Sequence, residues 1–143
     1  MTEVTVLNGL IGGLLATIVM TAFMMALGDD SPPPTALFWA KYVGDGDPSE
    51  YMMQGMVLHF LYGISAGIAL GVILIAGGFD TVELLGAVSA GLGYGVVLFV
   101  IAAVLWMNVV LDLDAEPRMV GMFLIFHLVY GGVLGAVLGV GIV

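Results

Sequence analysis

The chain has 143 residues, 62% of them hydrophobic and only 9% charged, where a soluble domain carries roughly 25% charged residues. Eleven acids against two bases leave a net charge of −9, which argues against a nucleic-acid surface and against docking on anionic lipid headgroups. With no cysteine there is no disulfide framework, thiolate metal site or thiol chemistry.

The charges leave four long uncharged stretches, 4–28, 51–79, 84–111 and 119–143. Each exceeds the roughly 20 residues that span a hydrocarbon core. The sequence therefore predicts an all-α, four-helix transmembrane bundle, a single membrane domain over 1–143, with the lipid bilayer as its surroundings.

The first span runs from about Val4 to Leu27. It lacks the basic flank of a signal peptide, since Glu3 precedes it, and is read as a retained helix. Gly28-Asp29-Asp30-Ser31 and then Pro32, Pro33 and Pro34 end it, because proline removes a donor and disfavours helix before it. Residues Thr35 to Val43 are too short to span and rich in aromatics. They predict an interfacial helix capped by Thr35, with Trp39 and Tyr42 at headgroup level. Asp47 then caps the second span, with Pro48 at its first position, and that span runs to about Ala76. A tight turn at Gly77, Gly78 and Asp80 leads into the third span, about Leu84 to Val110. After an acidic loop the fourth span starts near Arg118. The only bases, Lys41 and Arg118, fall in loops 28–50 and 108–118. The excess of bases on the cytoplasmic side of membrane proteins places those loops in the cytoplasm and both termini outside.

The second and fourth spans resemble each other. A shift of 68 aligns His59 with His127, Tyr62 with Tyr130, Gly63 with Gly131, Gly67 with Gly135, Leu70 with Leu138, Gly71 with Gly139 and Val72 with Val140, 7 identities in the 14 positions from 59 to 72. The first and third spans align more weakly near a shift of 77. The expected unit is a helix hairpin duplicated in tandem, 1–78 and 79–143, with the halves related by an axis along the membrane normal.

Residues four apart share a helix face, so Gly63, Gly67 and Gly71 form one stripe and Gly131, Gly135 and Gly139 another. Such stripes let two backbones approach closely in lipid. The simplest arrangement packs the second span on the fourth, with the two histidines at one end of the seam. His59 and His127 are the only readily ionisable side chains within the spans, which marks them as a candidate ligand site. Their plainer role is to hydrogen-bond a neighbouring helix. The sharper alternative is axial ligation of one b-type haem. The methionines (Met20, Met24, Met25, Met52, Met53 and Met56) are read as apolar fill, and the acidic loops as solvated charge rather than calcium sites. No catalytic triad, phosphate loop or nucleotide fingerprint is present. The expected role is non-enzymatic, without a cofactor: an accessory subunit of a larger membrane complex, or a small transporter-like homo-oligomer.

A glycine-rich helix with Ala16-Thr17-Ile18-Val19-Met20-Thr21-Ala22, a proline loop, then His59-Phe60-Leu61-Tyr62-Gly63, resembles small uncharacterised four-helix membrane proteins of haloarchaea and, more distantly, bacteria. The acid-rich, lysine-poor loops also resemble proteins of extreme halophiles. The resemblance implies the topology and carries no functional residue with it.

Overall fold

The computed structural model describes residues 1–143 and is mostly helical. Four helices are long and apolar enough to cross a membrane. The first, α1, covers Val6–Leu27. It starts two residues later than expected because Thr2–Glu3 form a short strand, β1, and Thr5 then caps the helix by accepting from the Asn8 N–H (2.9 Å). At 1.5 Å per residue its 22 residues rise about 33 Å, enough for a hydrocarbon core.

The short helix α2 covers Pro34–Tyr42. Here the structure departs from the sequence expectation: Pro33 caps the helix and Pro34 opens it, as its fixed φ favours, while the Thr35 hydroxyl is buried and unpartnered. Asp47 does cap as expected, accepting from the Ser49 N–H (3.0 Å), but it caps a single 3₁₀ turn, Pro48–Tyr51, that leads into α3, Met52–Ala76. After Gly78, at φ 82°, a second strand β2, Thr81–Val82, precedes α4, Leu84–Ile101. The third span continues as a π-helical stretch, Ala102–Val110, and α5 covers Pro117–Val140.

The backbones pack α1 on α3, α4 on α5 and α1 on α5. The expected seam between the second and fourth spans is not formed: α3 and α5 meet through side chains, as where the Tyr130 hydroxyl donates to the Gly63 carbonyl (2.5 Å). Each glycine stripe instead packs inside its own hairpin. A Cβ on Gly67 would strike the backbone of Gly9 and Gly13, and one on Gly135 would strike Ala87 and Val88. Gly13 lies against the Gly63 carbonyl and the Gly67 Cα, and Gly91 lies in the same way against the Gly131 carbonyl and the Gly135 Cα. The corresponding positions are thus 68 apart in the second and fourth spans but 78 apart in the first and third, one residue from the expected 77.

The strands β1 and β2 pair antiparallel, with Glu3 opposite Thr81 and Thr2 opposite Val82. Val4 extends the pairing, its N–H donating to the Asp80 carbonyl (2.8 Å). This ties the start of α1 to the start of α4. At the same end Asn8 is fully buried. Its side chain donates to the Val143 carbonyl (2.8 Å) and accepts from the N–H groups of Ile142 and Val143.

Candidate functional site

The close α1–α5 contact has no counterpart between α3 and α4, whose backbones do not pack. Tyr94 bridges this gap, its hydroxyl donating to the Ala66 carbonyl (2.9 Å). A cavity of about 360 Å³ lies inside, reached by side chains of every long helix. Leu61, Tyr62 and Ser65 line it and are exposed on the outer face of α3, so it opens sideways, toward lipid.

The helix α2 closes the cavity at the long-loop end. It sits on α3 where Ala36, fully buried, meets Gly55, a position at which any Cβ would collide with the Ala36 backbone. It reaches across to the third span through Phe38, edge-on to Trp106 at 5.5 Å between ring centroids. Lys41 Nζ and the Tyr42 hydroxyl both donate to the Val110 carbonyl (2.9 and 2.6 Å), satisfying an acceptor that the end of that helix leaves free. Tyr42 is exposed, whereas Trp39 is half-buried. The π-helical stretch supplies Ala102 and Trp106 to the cavity wall. Such wide turns are rare and concentrate at functional sites.

Both histidines line this one cavity. His127 is 5% exposed, and its Nδ1 lies 2.7 Å from the Phe123 carbonyl one turn back. A carbonyl only accepts, so Nδ1 carries the proton and Nε2 presents a lone pair. His59 approaches Thr21, with Nε2 at 3.1 Å from the hydroxyl oxygen. That hydroxyl already donates to the Thr17 carbonyl (2.7 Å) and can only accept from the ring. His59 therefore carries its proton on Nε2 and leaves Nδ1 free. The two neutral rings are opposite tautomers, each with one uncommitted acceptor nitrogen. The unpartnered Thr35 hydroxyl joins them on the cavity wall.

Tyr62 and Tyr130, in register in the sequence, part company here. Tyr130 is buried and bonded to Gly63, while Tyr62 is 38% exposed beside the opening. Thr17 and Ser65 bond back to their own helices, to Gly13 (2.7 Å) and Leu61 (2.7 Å). Thr21 and Thr35 were not singled out by sequence as site residues. Thr21 carries no local signal, because its histidine partner lies 38 residues away. No three His, Asp or Glu side chains converge as a metal site.

The fold and the cavity define a multi-pass, four-helix membrane protein with a laterally open interior. No protein-family model, curated protein or solved structure matches the chain.

Proposed function

We propose that this is a non-enzymatic membrane protein, an accessory component that holds an apolar molecule bearing a hydrogen-bond-donating head. One observation carries the reading: two histidines, each with a free acceptor nitrogen, line one apolar cavity that opens between α3 and α4. At about 360 Å³ the cavity lies within the ordinary range for small-ligand sites. Its walls are apolar apart from the histidines, Thr35, Tyr62, the Trp106 ring N–H and the bonded hydroxyls of Thr17, Ser65 and Tyr130. A ligand hydroxyl could donate to His127 Nε2 or His59 Nδ1 while the apolar body leaves toward lipid. Isoprenoid alcohols and quinols fit that description. The lysine and arginine of the long loops favour the cytoplasmic side for this end of the cavity. The matched contacts of the two hairpins agree with a tandem duplication in which one copy, α1 with α5, closed tightly and the other stayed open.

The test uses Trp106 as the reporter in a Trp39→Phe background. Decylubiquinol, which donates two O–H groups, should quench it saturably, and decylubiquinone, which donates none, should bind at least tenfold more weakly. Equal, non-saturating quenching by both would sink the proposal.

The shared cavity also keeps a second reading in play, a b-type haem held by His59 and His127. His127 has the bond that orients a ligating imidazole, a ring N–H held by a backbone carbonyl. The bridge from Tyr130 to Gly63 and the occupied Nε2 of His59 would both have to give way. A reduced-minus-oxidised spectrum with a split alpha band, lost in His59→Ala and His127→Ala, would select this reading.

A further inference from the structure

A second pocket, of about 630 Å³, opens at the long-loop end among α1, α3 and α5. Six of the chain's ten methionines line it. They fall into two tiers, and each tier takes one residue from each of the three helices. Met24, Met56 and Met122 are half-buried, whereas Met25, Met52 and Met119 are exposed. His59 lines the same pocket, with its Nδ1 uncommitted. Asp29, Asp114 and Glu116 stand at the mouth, with Arg118 as the one opposing charge.

Thioethers are neutral, soft donors. They discriminate strongly in favour of Cu(I) and against hard divalent ions. Mere gap-filling would require no such distribution, since methionine packs equally well anywhere in an apolar bundle. Here the sulfur-bearing side chains converge from three helices on one opening, and the one imidazole on the lining, His59, has a free lone pair. An acidic mouth raises the local concentration of a cation before it meets the sulfurs. We propose that Met24, Met56 and Met122, with His59, form a binding site for a soft monovalent cation, Cu(I), and that Met25, Met52 and Met119 form its entrance. Binding is simple coordination, with no change of oxidation state and no proton to release from the thioethers.

The test is an anaerobic titration of the purified full chain against Cu(I) held by a chromophoric bathocuproine chelator. One equivalent of Cu(I) per chain should leave the chelator, and Zn(II) should not compete. Met24→Leu/Met56→Leu/Met122→Leu, which preserves apolar bulk, should weaken binding at least tenfold, while Met53→Leu, on the lipid-facing side, should leave it unchanged. No withdrawal of Cu(I) by the wild-type protein, or a triple variant that binds equally well, would overturn the site. If the triple variant does not fold, methyl-labelled wild-type protein decides: Ag(I) should move the methyl resonances of Met24, Met56 and Met122 and spare Met107. Shifts spread over all the methionines would refute it.

Discussion

At the scale of single residues the informative groups are those whose hydrogen bonds leave something over. His59 and His127 each spend one ring nitrogen and keep the other. Nitrogen-15 spectra of the protein with both imidazoles neutral should therefore show the proton on Nε2 in His59 and on Nδ1 in His127. Thr21→Val should abolish the preference at His59 and leave His127 as it was; the same tautomer on both rings would contradict the geometry. Thr35 keeps a whole hydroxyl unpaired in a buried place. Thr35→Val should stabilise the empty protein by about 1 kcal/mol, the order of the penalty for an unsatisfied buried group, as read by thermal unfolding in detergent. Outside the spans, the hydroxyl and N–H of Ser31 hold the Asp29 carboxyl below its ordinary pKa, and the N–H and hydroxyl of Ser49 do the same for Asp47. A depressed folded-state pKa means that each loop turn gains its stabilisation above the ordinary aspartate value and loses it as pH falls through the lowered one. Carbon-13 carboxyl titrations should find both midpoints below that of a free aspartate, and Ser31→Ala should return Asp29 toward it.

Among the elements, the glycine stripes set how closely the helices pack, and the environment of each glycine grades the cost of adding a methyl group. Gly67 and Gly135 face backbone, which cannot step aside, so Gly67→Ala and Gly135→Ala should each cost about 1–3 kcal/mol, as overpacking does. Gly71 has only ordinary to tight contacts and should tolerate alanine far better. Gly93 faces open space, and Gly93→Ala should stabilise α4 by about 0.5–1 kcal/mol through lower chain entropy. Unfolding midpoints of the four variants, ranked in any other order, would show that backbone contact is not what the stripes serve. The stripes were legible in the sequence; their partners were not. A run of glycines four apart says that a backbone approaches, without saying whose. The answer was present in weaker form, in Gly9 and Gly13 on the first span and Gly91 and Gly95 on the third, which carry the same spacing. The four spans were legible because so few charges interrupt them. The first residues of α1 were not, since the pairing of Thr2–Glu3 with Thr81–Val82 joins segments nearly eighty residues apart and too short to show a strand pattern. The histidines could be picked out as a pair, but the cavity between them depends on α3 and α4 standing apart, which no local pattern encodes.

For the whole molecule, the asymmetry between the two hairpin interfaces matters most. Contact between α1 and α5 fills one side of the bundle, and the cavity occupies the other, covered at one end by α2. The helix α2 packs along the start of α3, with Ala36 in the Gly55 notch, and reaches the third span through Phe38 on Trp106 and two donors on one carbonyl. Phe38→Ala with Tyr42→Phe should loosen α2 without unfolding the bundle. The expected readout is a red shift of Trp106 emission in the Trp39→Phe background, with helical circular dichroism retained. An unchanged spectrum would mean that α2 does not depend on these contacts.

The small strand pair at the opposite end then takes on a mechanical meaning. It joins the first hairpin to the second, and Asn8 fastens Ile142 and Val143 beside it. Main-chain hydrogen bonds thus join the two hairpins at that end, while α3 and α4 stand apart along the cavity. Rotations pivoting on the strands would grow toward α2, which closes the long-loop end of the cavity, while the opening itself lies between α3 and α4. Hydrogen exchange should be slower at Val4 than along α2; equal rates would show that the strand pair does not anchor the hairpins.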